Sequence, residues 1–64
     1  MTYGQAKNNL NEKAKQRVEQ LEQELATKAK KNTITEDQYY TRMNALSSYV
    51  FGRIDLKEMF SRFN

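Results

Sequence analysis

The sequence contains no cysteine, no histidine and no proline. Without cysteine there can be no disulfide and no thiolate metal site. Without histidine the chain lacks the commonest general base, the commonest zinc ligand and the usual partner of a nucleophilic serine. We therefore expect no enzymatic activity and no bound metal or cofactor. For a chain of 64 residues, whose core alone is marginal, the remaining source of extra stability is association with another chain.

Long apolar runs are also missing. The longest, Tyr49 to Phe51, is far too short to span a membrane, and the amino-terminal residues lack the apolar region of a secretory signal. We therefore expect a soluble, cytoplasmic protein. Apolar residues make up 38% and charged residues 30%, which approaches the composition of disordered chains. The absence of proline and the clear apolar periodicity nevertheless predict one small ordered domain over residues 1–64.

Apolar residues recur at intervals of mostly three and four through the first half of the chain. This pattern predicts one long helix over about residues 2–31. Pairs of these residues also repeat at a spacing of eleven, so the helix should be nearly straight. At 1.5 Å per residue it would be about 45 Å long. The stripe consists of Tyr3, Leu10, Ala14, Val18, Leu21, Leu25 and Ala29.

Two short segments, ITEDQYY and IDLKEMF, carry helix-start signals. In the first, Thr35 is a helix cap and Gln38 can return its hydrogen bond, which predicts a second helix over about residues 36–50. In the second, Asp55 is the cap and Glu58 the matching acceptor, which predicts a third helix over about residues 56–63. The predicted fold is therefore all-α, a helical hairpin or a three-helix unit.

Two residues suit the left-handed conformation that ends a helix. Asn32 follows the first predicted helix, and Gly52 follows the second. An alternative is that the second and third helices are one continuous helix through Gly52, at a cost of about 1 kcal/mol relative to alanine.

The predicted helices differ in length. The second helix, about 22 Å long, can cover only the carboxyl half of the first. Three possibilities follow: the third helix runs along the remainder, residues 1–9 fray, or a second copy covers it. We predict the last, a homodimer. Its predicted interface is Leu10, Ala14, Val18, Leu21 and Leu25.

Six of the seven aromatic residues lie between Tyr39 and Phe63. One interpretation is internal packing, in which Phe60 and Phe63 meet Tyr40 and Phe51. The other is an exposed aromatic patch that binds a protein partner, because such residues are enriched at the centres of interfaces. The predicted partner-binding residues are Tyr40, Phe51, Met59, Phe60 and Phe63.

The net charge of +3 lies in residues 1–31. Lys13, Arg17, Lys28 and Lys31 project to one flank of the first helix, although Glu24 interrupts them. They form either a solvated helix face or a strip that neutralises nucleic-acid phosphates.

Residues 18–48 contain a charged, leucine-bearing helix, a short break, and then isoleucine, threonine and two acidic residues that open a second helix. The residues of this pattern are Leu21, Leu25, Ile34, Thr35, Glu36, Asp37 and Leu46. The pattern resembles the short carboxyl-terminal domain family known as SHOCT, although Asn32 and Thr33 stand where that family usually has glycine. The resemblance implies a small helical element for interaction or oligomerisation. In size and composition the chain also resembles the small accessory proteins of phages and mobile elements, many of which bind and inhibit a host protein.

These features lead to two hypotheses. The first is a self-associating helical interaction protein that regulates or inhibits a protein partner by binding it. The alternative is a small basic nucleic-acid-binding protein that uses the first helix. Neither hypothesis involves a small-molecule substrate or insertion into a membrane.

Overall fold

A computed structural model describes residues 1–63, in which four α-helices pack together and no strand is present. The helices are α1 (Tyr3–Asn8), α2 (Glu12–Lys30), α3 (Glu36–Val50) and α4 (Leu56–Phe63). The predicted all-α class is confirmed, as are the second and third predicted helices, which correspond to α3 and α4. No helix within residues 1–63 has the length and apolar character needed to cross a membrane.

The predicted long helix over residues 2–31 is wrong, because the chain breaks between α1 and α2. Asn11 has an extended backbone and its side-chain oxygen accepts a hydrogen bond from the Ala14 N–H at 2.9 Å, so Asn11 starts a new helix. A capping box between Thr2 and Gln5 starts α1. The molecule measures 32 Å along its longest axis, which is too short for a helix of about 45 Å.

Because of this break, α1 folds back on α2. The Tyr3 hydroxyl donates a hydrogen bond to Glu22 Oε2 at 2.8 Å, and Lys7 Nζ lies 3.1 Å from Glu22 Oε1. A continuous helix would hold Tyr3 and Glu22 about 28 Å apart. Burial of the phenol, and secondarily its bond to the Glu22 carboxylate, raise the pKa of Tyr3 well above its usual range. The segment for which fraying was one possibility therefore contains a helix with defined contacts.

Both turns that follow α2 and α3 are Schellman motifs. After α2, Asn32 has φ 57° and the Thr33 N–H bonds to the Lys28 carbonyl at 3.0 Å. After α3, Gly52 has φ 77° and the Arg53 N–H bonds to the Ser48 carbonyl at 2.8 Å. The predicted helix ends are confirmed, and the alternative of one helix through Gly52 is wrong.

The starts of α3 and α4 differ in one respect. Thr35 and Gln38 form the complete capping box that the sequence predicts. Asp55 Oδ1 accepts a hydrogen bond from the Glu58 N–H at 2.8 Å, which confirms it as a cap. The Glu58 carboxylate pairs instead with Arg62, 3.2 Å away. The reciprocal half of the second box is therefore absent, because the arginine one turn later offers a charged partner.

All four helices contribute to the core. The centre is apolar, and no polar or charged side chain within residues 1–63 is fully buried. The buried residues are Ala6, Val18, Leu21, Leu25, Ala45, Leu46, Val50 and Met59. Because α1 and α3 pack against α2, and α4 packs against α3, a single chain covers much of the apolar stripe that the sequence shows.

Candidate functional site

The solvent-exposed side of α3 carries two aromatic residues. Tyr40 is 56% exposed and Phe51, which caps the end of the helix, is 38% exposed. Eleven residues separate them, so they lie within about 20° of one another around the helix axis and about 16 Å apart along it. Asn44 and Ser47 lie between them and are small. We call this surface, formed by Tyr40, Asn44, Ser47 and Phe51, the α3 aromatic face.

Tyr40 lies beside a shallow cleft at the α2–α3 turn. Ala29, Ile34 and Tyr39 contribute apolar surface to this cleft, whose volume is about 320 Å³. The Tyr39 and Tyr40 rings meet edge to face with their centres 5.7 Å apart. The volume lies at the lower end of the range of small-molecule sites, roughly 300–1,000 Å³. A cleft of this size suits an inserted side chain better than a cofactor.

Phe51 is held in place by α1. The Tyr3 ring packs against it with a centre-to-centre distance of 6.3 Å, and the Arg53 guanidinium lies 5.8 Å from its centre. One interpretation of the sequence was internal packing of Phe60 and Phe63 against Phe51 and Tyr40. The folded-back α1 supplies Tyr3 as the aromatic contact of Phe51 instead.

The α4 residues that the sequence assigned to partner binding are less exposed. Met59 is fully buried, with 0% exposure, so it is a core residue and the assignment to a partner surface needs correction. Phe60 is partly buried beneath Arg17, whose guanidinium carbon lies 5.7 Å from the ring centre. Phe63 is also partly buried, and its carbonyl accepts a hydrogen bond from Arg42 Nε at 2.9 Å.

The residues of the predicted dimer interface lie largely inside one chain. Val18 is 0%, Leu21 8% and Leu25 1% exposed, while Leu10 and Ala14 are partly buried. The argument for a dimer depended on an uncovered half of a long helix. In the structure the chain breaks after α1 and α1 folds back, so there is no long helix with an uncovered half. These residues therefore do not need a second chain. The homodimer itself stays a prediction.

The basic residues of the predicted nucleic-acid strip are accessible. Lys13, Arg17, Lys28 and Lys31 are all exposed on α2 or at its end. Within residues 1–63 the ion pairs are Lys7 with Glu22 and Arg62 with Glu58, so none of the four is paired. The exposed Glu24 lies between Arg17 and Lys28 and divides the strip.

Sequence reasoning missed a second cleft, at the start of α2. Lys13 and Arg17 line it together with Tyr49 and Leu56, and its volume is about 290 Å³. Leu56 is 37% exposed, whereas Met59, three residues later on the same helix, is 0% exposed. The sequence does contain one signal for this exposure. Leu56 directly follows the cap Asp55 and lies in the first turn of the helix, whereas the buried face is set by residues in the later turns.

No known protein family, no curated protein and no solved structure matches this chain. Its function therefore has to be inferred from the two clefts, the α3 aromatic face and the basic flank.

Proposed function

We propose that the protein acts in the cytoplasm by binding another protein through the α3 aromatic face, with Tyr40 and Phe51 as anchors. The observation that carries the proposal is the exposure of these two aromatic residues on one side of a single helix. Tyrosine and phenylalanine are enriched at the centres of interfaces, and tyrosine combines a large apolar ring with a polar tip. Binding that covers a partner's surface would regulate or inhibit that partner.

The shape of the face supports this role. Asn44 and Ser47 are short, so a partner can approach the α3 backbone between the two rings. Phe51 is supported by Tyr3 and Tyr40 by Tyr39. Side chains that are already held lose less conformational entropy on binding, which favours affinity.

Tyr40→Ala tests the proposal with little risk to the fold, because Tyr40 is 56% exposed. Affinity capture from the native host should recover a protein with the wild type and lose it with Tyr40→Ala. Gln20→Ala, on the exposed side of α2, is the matched control and should retain the partner. A photo-crosslinking residue at position 40 should label that same protein, and one at position 20 should not. Equal recovery by both variants, or no recovery by the wild type, would contradict the proposal.

Self-association is a separate part of the proposal. A charge placed at a predicted interface residue, such as Leu21→Asp, cannot test self-association, because Leu21 is a core residue and a buried unpaired charge would unfold even a monomer. Sedimentation, and thermal melts at several protein concentrations, can test self-association, since a dimer gains stability by mass action. A folded species of 7.6 kDa at tens of micromolar, with a concentration-independent melting temperature, would rule the dimer out.

Nucleic-acid binding is the second candidate function, favoured by the four exposed and unpaired cations on α2 and at its carboxyl end. If all four contact phosphates, affinity for a short DNA duplex should fall about a hundredfold between about 50 mM and about 200 mM salt. The variant Lys28→Gln with Lys31→Gln should reduce this salt dependence by about half. Absence of any binding at the lower salt concentration would remove this candidate.

A further inference from the structure

The cleft at the start of α2 combines apolar surface with positive charge. Leu56, the first residue of α4, is 37% exposed beside it, and Ala14 and Tyr49 are partly buried in its wall. Its volume of about 290 Å³ falls just below the usual range for small-molecule sites, roughly 300–1,000 Å³. Space of this size, open to solvent, suits one apolar side chain from another protein.

The two cations at this cleft are available for a ligand. Lys13 and Arg17 lie one helical turn apart, and no carboxylate lines the cleft. Two neighbouring carboxylates have other partners: Asp55 caps α4, and Glu58 pairs with Arg62. The Phe60 ring lies 5.7 Å from the Arg17 guanidinium carbon. Stacking of this kind orients a guanidinium and leaves its N–H edge free to bind a carboxylate.

From this geometry we propose that the cleft binds an acidic segment of a partner protein, in which an apolar side chain enters between Ala14, Tyr49 and Leu56 while flanking carboxylates pair with Lys13 and Arg17. The inference rests on the proposed protein-binding function for the class of partner, and it adds a contact area separate from the α3 aromatic face. Charge complementarity selects an acidic segment over a basic or neutral one.

A nucleic acid fits this cleft less well. Phosphate-binding surfaces follow the backbone with several cations in succession, whereas here Glu24 separates Arg17 from Lys28. The exposed Leu56 side chain also makes no favourable contact with a phosphate, whereas it can pack against an apolar side chain.

The test is an NMR titration of the ¹⁵N-labelled protein with a blocked synthetic peptide in which leucine is flanked on both sides by aspartate and glutamate. The expected result is chemical-shift change concentrated at Lys13, Arg17, Tyr49 and Leu56. Leu56→Ala, which changes no charge, should weaken binding about threefold or more, because part of the apolar contact is lost.

Two charge variants distinguish the contribution of the cleft to peptide binding from that of the overall charge of the protein. Lys13→Gln with Arg17→Gln should weaken peptide binding at least about tenfold. Lys28→Gln with Lys31→Gln removes the same charge from the same flank, outside the cleft, and should weaken binding less than about twofold. Thermal melts check that both variants fold.

Three outcomes would overturn the inference: no shifts at millimolar peptide, equal weakening by the two charge variants, or stronger shifts of the same residues with a DNA duplex than with the peptide. None of these outcomes depends on Tyr40. Loss of the cleft inference would therefore leave the Tyr40-dependent capture intact, and the two proposals can fail independently.

Discussion

Replacement of Gly52 by alanine tests the α3–α4 junction through the sign of its effect. Gly52 has φ 77°, and a Cβ atom there would meet nothing within 4 Å. The cost is therefore conformational alone, about 1–2 kcal/mol for an L-residue in the left-handed region. A less flexible unfolded chain offsets about 0.4–1 kcal/mol of this cost. Gly52→Ala should thus lower the free energy of unfolding by about 1 kcal/mol, and the melting temperature by about 4–8 °C.

D-Alanine at the same position is the matched control, and the chain is short enough for chemical synthesis. It adds the same methyl group but favours positive φ, so it should stabilise the protein by up to about 1 kcal/mol. Circular dichroism during thermal and urea unfolding measures both effects. Stabilisation by L-alanine would refute the reasoning, because it would indicate a continuous helix through position 52. Equal effects of the two enantiomers would refute the left-handed conformation.

Three further predictions concern individual interactions. Tyr3→Phe removes the hydrogen bond to Glu22 and should cost about 1 kcal/mol. Because the pKa of Tyr3 is raised in the folded state, wild-type stability should fall as pH rises above 10.0. In that range the unfolded state loses the phenol proton and the folded state keeps it. An equally steep fall in Tyr3→Phe would contradict this prediction. Thr35→Ala should cost about 1 kcal/mol through loss of the cap, whereas Thr27→Ala, on the exposed side of α2, should not destabilise; equal melts for both would place the start of α3 elsewhere. Leu46→Ala, at a position with 0% exposure, should cost about 2–5 kcal/mol and abolish a cooperative melt; a small shift would mean that the core repacks there.

The helix boundaries of the carboxyl half could be predicted because each is set by local chemistry. Thr35, Asp55, Asn32 and Gly52 act through hydrogen bonds and backbone preferences within a few residues. Such signals do not depend on what the rest of the chain does. Because these signals agree with the apolar periodicity, the bounds of α3 and α4 could be predicted from the sequence alone.

The break between α1 and α2 was missed although its signals are present. Thr2 and Gln5 repeat the capping pattern of Thr35 and Gln38, and Asn11 is a good helix cap. The apolar spacing continues across the break, since Leu10 still packs against the core. Periodicity therefore favoured one helix where capping chemistry favoured two, and here the capping chemistry decides the structure.

The candidate surfaces could be predicted only in part. The outward position of Tyr40 follows from the α3 periodicity alone. The states of Met59 and Leu56 depend on how α4 is rotated against α2 and α3, and local sequence does not contain that rotation. The contact between Phe51 and Tyr3 depends on the folded-back α1, so it cannot be predicted from a continuous first helix.

The polar contacts of α1 with the rest of the molecule share one carboxylate, and this has a consequence for how the native state opens. Both polar links of α1, from Tyr3 and Lys7, end on Glu22, and Ala6 is its one fully buried side chain. Segments with so few contacts open locally at a small fraction of the global unfolding free energy. In hydrogen–deuterium exchange the amides of α1 should therefore exchange together and early, whereas those around Leu46 should exchange only through global unfolding. Glu22→Gln should speed exchange in α1 and leave the rate around Leu46 nearly unchanged.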